Sequence, residues 1–594
     1  MLLRIKQLKI GTYGIFAFLI IALATILRIF LIAWGWPHSN ADVDTMGIMA
    51  MHIADKGEHP IFFYGQNYMG TLQAYLGVAF FRLFGISVFS LRLVTVLFFG
   101  LFLVMMYCLT SLLYTKKLAL ITLALLSLGS SIMLYTEISG VSGYPELLFF
   151  GSLSMLLASW LALSYDQYSS PNRRLWRSIA YGCWGLVAGL GFWSDFLILS
   201  FILVSGLLLL LFCWRELLKG AVLIVVIGLV IGAFPLIVYN LHAAPGQNTL
   251  NVLANLHYAG SVELARIQIH NHIPLEPELQ GTMLISLPAA TGGAPFCYDT
   301  NLMLTGYLSF QNFQCSIHQS NFSSVFIALA WSVGFILLWT IAVVLTLKNL
   351  WKLRSLTPGH LSSQAEKQAI TCQFARLVLL SSGGLILLLF IMSPASAAFP
   401  GNSRYLIGLL ISTPALIAPL WGLSSVKSAM TPDTSNGDHS HTHSWFTFTS
   451  FKLVLGRGVL LIIGIVLLIG TINAFLEIPT VQAYNKQQDT LIQGLLRIKA
   501  THVYTDYWTC DSIAFVSREQ IICAAVDGQL KVQPRYSRYA PYVPIVKADP
   551  NAAYVFPLED GQIPSFAKRV ALLPGHYQQF VFGNYVVYQP VNTH

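Results

Sequence analysis

Ser39-Asn-Ala-Asp-Val-Asp44 is the stretch on which the fold turns, with Pro60-Ile-Phe-Phe-Tyr-Gly-Gln-Asn-Tyr-Met-Gly70 close behind it. Asp42 and Asp44 stand at the mouth of a short helix. Met46, Met49, Ala50 and Ile53 fall on one of its faces, at the three- and four-residue spacing expected of a helix lying along a membrane interface. Gly57 ends the helix and Pro60 prevents it from resuming. A structural reading competes: Ser39 to Asp42 matches a capping box with Ser39 as N-cap, and Asp44 then sits favourably in the first turn of the helix dipole. The surrounding chain decides between a cap and a site.

Just before this stretch lies an apolar run long enough to cross a bilayer, and such runs recur. The chain has 594 residues, of which 55% are hydrophobic and 10% charged. Soluble domains carry about 25% charged residues, so this composition specifies a polytopic α-helical membrane protein. Apolar runs near 12–35, 88–113, 118–135, 147–164, 179–194, 196–213, 221–239, 323–347, 377–393, 405–422 and 457–476 predict about eleven spans at roughly 20 residues each. The net charge of +9 is no nucleic-acid signature, because the basic residues fall in short loops. Lys116, Lys117, Arg173, Arg174, Arg177, Arg215, Lys219, Lys348, Lys352, Arg354, Lys367, Arg376, Lys427 and Lys452 alternate with loops almost free of them. The 240–321 loop holds only Arg266. This asymmetry places the N-terminus in the cytoplasm, and the Asp42 stretch and the tail after Glu477 outside. Arg4, Lys6 and Lys9 precede the first span without a small-residue cleavage site, so that span is expected to be retained.

The tail changes character. A helical pattern over 481–499 leads to a strand at His502–Asp506, a helix, a second strand near Gln520, and a hairpin from Phe580 to Tyr588 with a Gly-Asn turn. This predicts a small extracytoplasmic α/β domain. Four cysteines fall on the outer side, two in one loop and two in the tail, which suits an oxidising compartment and predicts disulfides Cys297–Cys315 and Cys510–Cys523. His439, His441 and His443 lie in a polar cytoplasmic loop, where solvation is the simpler explanation than a metal.

Ionisable residues gather at the outer ends of the spans: Asp42 and Asp44, Arg82 and Arg92, Glu137 and Glu146 around Ser139-Gly-Val-Ser-Gly-Tyr-Pro145, Asp195, and Arg404 in Pro400-Gly-Asn-Ser-Arg-Tyr405. A transporter would place them near the midplane, at broken helices. A layer at one face suits an enzyme acting on a substrate with its tail in lipid. For any single arginine, snorkelling to lipid phosphates is the plainer account.

Asn40-Ala-Asp-Val-Asp44, Phe63-Tyr-Gly-Gln-Asn-Tyr-Met-Gly70, Ser142-Gly-Tyr-Pro-Glu146, Gly189-Leu-Gly-Phe-Trp-Ser-Asp195 and Ser403-Arg-Tyr405 resemble, in order and placement, the GT-C glycosyltransferases. The nearest branch is that of the bacterial protein O-mannosyltransferase-like and aminoarabinose-transferase-like proteins; Thr505-Asp-Tyr-Trp508 is also similar to members of that branch. The resemblance implies a glycosyltransferase domain over 1–477, with a catalytic first outer loop at 36–87 and a long outer loop at 240–322, followed by the outer domain at 478–594. It implies an enzyme of the bacterial cytoplasmic (inner) membrane that moves a sugar, with inversion, from a polyprenyl-phosphate carrier to a glycan, lipid or protein acceptor. Asp42 takes the place of the family's first-loop aspartate, with Asp44 beside it. The usual Asp-Glu pair is Asp42-Val43 here, which weakens the case for a divalent cation, and no metal ligand or other cofactor is assigned. Arg404 and Arg82 are the candidates for the donor phosphate, since a departing phosphate needs cations and no general acid. The acceptor hydroxyl needs a base. Glu137 and Glu146 are placed to orient the acceptor, and Tyr64, Gln66 and Tyr68 to line the substrate loop. The alternative function is a transporter or flippase of lipid-linked sugars; an inert membrane scaffold carrying a binding domain is a third reading.

Overall fold

The computed structural model describes residues 11–140, 143–165, 171–271, 277–293, 322–355, 364–397, 400–424, 443–534, 536–558, 563–573 and 576–591. The expected Cys297–Cys315 bridge lies outside these residues, as does the greater part of the histidine cluster. The membrane part opens with α1 (Thr12–Ala33), α2 (Ala41–Met51), α3 (Leu72–Phe84), α4 (Val88–Leu113), α5 (Lys116–Ser127), α6 (Ser131–Ile138), α7 (Tyr144–Leu163), α8 (Pro171–Ser194) and α9 (Leu199–Glu216). Seven helices among the described residues are long and apolar enough to cross a membrane, or eight if the bent pair α5–α6 is one span. The difference from eleven has local causes. α5 and α6 meet at 88°, and the Leu409–Gly422 stretch is short. The 37-residue run Phe196–Gly232 is interrupted at Lys219 and at Gly220, whose φ is +108°.

α1 carries a charge into the apolar layer, and the fold satisfies it. Arg28 is fully buried; its Nη2 and Nε donate to Glu137 Oε2 at 2.6 and 3.0 Å, and Nη1 donates to the Ser127 carbonyl at 2.9 Å. Its guanidinium also lies 3.6 Å from the centre of the Phe99 ring. A buried charge is tolerated only when paired and hydrogen-bonded in this way. The pair ties the α5–α6 bend to α1 and α4.

After the helix His443–Leu476 the chain continues as Ile478–Arg497, with Glu477 between them accepting from Trp36 Nε1 at 2.9 Å. The C-terminal domain then builds β1 (His502–Thr505), β2 (Ile522–Ala525), β3 (Ala553–Pro557), β4 (His576–Phe582) and β5 (Tyr585–Val591), in the order β2-β1-β3-β5-β4. β1 is parallel to β2 and β3, whereas β5 is antiparallel to β3 and β4. The hairpin of the last two strands turns at Gly583-Asn584. Between β1 and β2 runs the helix Tyr507–Val516, and the disulfide Cys510–Cys523, with Cα atoms 5.4 Å apart, ties it to β2.

α2 departs from the expected interface helix. Ten of its eleven residues are buried, Asp44 and Thr45 as completely as Met46 and Met49. The Tyr507–Val516 helix packs along the face that would otherwise meet water. Gly47 makes this approach possible: a Cβ there would lie 2.5 Å from the Phe515 ring. The capping also differs. Asn40, not Ser39, is the N-cap, and its side chain accepts from the Val43 N–H at 3.0 Å. The Ser39 hydroxyl is engaged elsewhere, by Asp44.

Candidate active site

The first turn of α2 sends its two carboxylates in different directions, as residues about 200° apart around a helix axis must. Asp44 points into the packed interface. Ser39 Oγ donates to its Oδ1 at 2.6 Å, and Ser512 Oγ donates to its Oδ2. Burial raises its pKa to about 6, against the pull of these two hydroxyls. Asp511 is buried beside it and raised by burial to about 7, with Thr45 Oγ1 2.6 Å from its Oδ2.

Asp42 is instead one-fifth exposed. Its Oδ1 accepts from the Tyr507 hydroxyl at 2.6 Å and from Arg538 Nη2 at 3.1 Å. Among the described residues, its Oδ2 accepts no hydrogen bond. Arg538 comes from the C-terminal domain and is held on several sides. Its Nη2 and Nε donate to Tyr507 Oη at 2.7 and 3.0 Å. Gln66, with its amide oxygen turned toward the guanidinium, accepts from Nη2 and Nη1 at 2.8 and 2.9 Å. The Phe63 and Tyr507 rings lie 5.5 and 5.1 Å away. Burial works against the Arg538 charge, but Asp42 and Tyr507 outweigh it and leave the pKa raised.

Arg404 stands in the turn Pro400–Leu406 with its guanidinium 5.3 Å from the Tyr405 ring and 5.9 Å from that of Tyr144. Tyr68 interacts electrostatically with both arginines. Burial and Tyr405 raise its pKa to about 12, Arg538 and Arg404 act to lower it, and Asp42 adds a further upward push. Arg404 also acts electrostatically on Asp195, whose Oδ1 caps the following turn by accepting from the Leu197 N–H at 2.8 Å. Gly143, at φ +91°, leaves room for Asp195: a Cβ there would sit 2.8 Å from its carboxylate. Tyr68 is thus coupled electrostatically to Asp42, Arg538 and Arg404, and Arg404 to Asp195, so these groups form one charged cluster.

The other residues singled out from the sequence are placed differently. Glu137 is not free to orient an acceptor, since Arg28 holds it in the closed ion pair described above. Arg82 is exposed in the last turn of α3 and forms no ion pair among the described residues. Glu146 is buried at the start of α7, where Gln73 Nε2 donates to it at 2.8 Å. Tyr64 donates instead to Glu58. It belongs to a second clasp between the loop and the C-terminal domain. There Glu519 Oε1 contacts His52 Nε2, Lys56 Nζ and Tyr542 Oη at 2.9, 2.8 and 2.7 Å. Burial pushes the Glu519 pKa up, but these partners overcome it and hold the group at about 2.

Arg538 and Asp511 were not singled out from the sequence, and Tyr507 only as one residue of Thr505-Asp-Tyr-Trp508. Arg538 sits in Pro534-Arg-Tyr-Ser-Arg-Tyr-Ala-Pro-Tyr542, where arginine interleaved with tyrosine in an otherwise patternless segment is the only local signal.

The donor set does not suit a metal ion. Asp42 Oδ1 is taken by a cation and a phenol, and Asp44 diverges from it with both oxygens held by hydroxyls. The remaining group of possible ligands among the described residues is Cys510, Asp511 and Cys523, and its cysteines are joined to each other.

No protein-family model matches the chain, and no curated protein sequence does. Solved structures do. The apo oligosaccharyltransferase of Archaeoglobus fulgidus aligns with 99% of this chain and 76% of its own, at a TM-score of 0.51 and 13% identity. Apo ArnT from Cupriavidus metallidurans aligns with 96% of this chain and 97% of its own, at a TM-score of 0.50 and 13% identity. At such identity the likeness concerns architecture alone: a mostly helical membrane body carrying a small C-terminal sheet domain.

Proposed function

We propose that this protein is an inverting glycosyltransferase that takes a sugar from a polyprenyl-phosphate carrier and passes it to an acceptor hydroxyl on the outer face of the membrane. The observation that carries the reading is the cluster around Asp42. It combines a carboxylate with one oxygen held by Tyr507 and Arg538 and the other open, and a Tyr68 that feels both Arg538 and Arg404.

The chemistry follows from these groups. The acceptor O–H gives its proton to Asp42 Oδ2 while its oxygen attacks the anomeric carbon. The bond from that carbon to the phosphate oxygen breaks with its electron pair going to phosphate, and the configuration inverts. Fixed cations aimed at the growing charge are worth most in a site from which water is excluded. In this reading Arg404 and Arg538 receive it. Asp44, closed into the interface with Asp511, positions α2 and is not itself the base. The lipid-linked donor reaches the cluster from the bilayer, and the basic loops on the opposite side set the orientation.

Purified protein incubated with a radiolabelled polyprenyl-phosphate sugar separates the readings. Donor consumption with release of polyprenyl phosphate is the expected result. Movement of intact donor across a vesicle membrane without consumption refutes it in favour of a flippase.

A further inference from the structure

We infer that Arg538 is a donor-phosphate ligand kept by Asp42 while the site is empty, so that arrival of the phosphate takes the guanidinium and releases the carboxylate. The inference rests on the proposed polyprenyl-phosphate donor. It adds a binding residue from the C-terminal domain and a coupling between donor binding and the base.

Three features of the cluster support it. The Asp42–Arg538 contact is made through a single oxygen at 3.1 Å, longer than the 2.7–2.9 Å typical of strong charge-assisted pairs. A phosphate offers two oxygens to the planar fork of an arginine and wins such a competition by geometry as well as charge. The arginine also has a hold that does not depend on Asp42: Gln66 accepts from it at 2.8 and 2.9 Å and the Phe63 ring lies 5.5 Å away. Finally, Tyr68 feels the charge of both Arg538 and Arg404, so a phosphate beside Tyr68 meets the field of cations from the membrane body and from the C-terminal domain.

The test uses undecaprenyl phosphate, which carries the phosphate and lipid but no sugar and cannot react. Its equilibrium binding to detergent-solubilised full-length protein is measured for the wild type, Asp42→Asn, Arg538→Gln and the double variant. Removing Asp42 spares the phosphate the work of breaking the ion pair, so Asp42→Asn tightens binding by roughly ten- to one-hundred-fold, the range of a charge-assisted hydrogen bond. Arg538→Gln weakens binding at least ten-fold. In the Arg538→Gln background, Asp42→Asn has a smaller effect than in the wild type, because no ion pair remains to be broken. Simple repulsion between Asp42 and phosphate gives the opposite order, since Asp42 repels most when Arg538 is gone; that order overturns the exchange. Arg538→Lys guards against a folding artefact: it keeps the charge, loses the fork, and binds between wild type and Arg538→Gln. Equal affinity of Arg538→Lys, Arg538→Gln and wild type refutes the inference while leaving the donor reading intact. Absence of undecaprenyl phosphate binding to the wild type refutes the donor reading, and the inference with it.

Discussion

Asp511→Asn probes the buried carboxyls that join the C-terminal domain to α2. Thr45 Oγ1 lies 2.6 Å from the Ala41 carbonyl and 2.6 Å from Asp511 Oδ2. The Thr45 hydroxyl donates to Asp511 Oδ2 and so favours the ionised carboxylate, but burial outweighs it, favours the neutral form and raises the pKa to about 7. The sign follows from linkage: the folded state holds this proton more tightly than the unfolded chain, so stability is full below about pH 4 and is lost as pH rises through about 7. One proton costs about 1.4 kcal/mol for each pH unit over which only the folded state retains it, so the loss between pH 5 and 8 is about 3 kcal/mol. Asp44, raised to about 6, adds to the same slope. The Asp511→Asn side chain is neutral at every pH and removes the Asp511 contribution. Thermal unfolding of the wild type and Asp511→Asn in detergent across pH 5–8 is the assay. The wild type loses melting temperature with rising pH, the variant loses less, and the gap is widest at pH 8. Parallel profiles would show that Asp511 is already ionised in the fold.

The other expected outcomes concern single contacts. Arg404→Ala slows turnover by roughly 10²- to 10³-fold, the usual effect of removing one charge-stabilising donor; Arg404→Lys recovers part of it, and Arg82→Ala leaves it nearly unchanged. Glu137→Gln leaves Arg28 buried without its counter-charge and costs about 3–5 kcal/mol, seen as a lower melting temperature with normal activity in the surviving folded fraction. Gly47→Ala drives a methyl into the Phe515 ring and costs about 1–3 kcal/mol by overpacking; limited proteolysis detects the loosened C-terminal domain, and Phe515→Leu in the same chain restores protection.

The fold was legible because its determinants are local. Apolar length picked out the helices of the membrane body, and strand periodicity with a Gly-Asn turn picked out the hairpin that the structure builds at Gly583-Asn584. The span count was less legible, since hydropathy does not register an 88° bend or a break at Gly220. Asp42 could be singled out as a candidate because two carboxylates follow a span at a helix start. Its partners could not, because Tyr507 and Arg538 lie more than 460 residues away in sequence and no periodicity links them to it. The burial of α2 escaped for the same reason: its polar face reads as solvent-facing until the Tyr507–Val516 helix is laid against it. Glu137 illustrates the converse error. A carboxylate near a Gly-rich loop reads as functional, and only its distance to Arg28 shows that a buried cation already occupies it.

The most direct test of the account compares Asp42→Asn with Asp44→Asn in single-turnover consumption of a labelled polyprenyl-phosphate sugar. Asparagine keeps the shape of either side chain, so both proteins can be compared as folded molecules. Asp42→Asn is expected to lower the rate by the 10²- to 10⁴-fold that general-base catalysis supplies while still binding donor. Asp44→Asn is expected to retain most of the rate, since its side chain only joins Ser39 to Ser512. Loss of turnover in Asp44→Asn with near-normal turnover in Asp42→Asn would contradict the account.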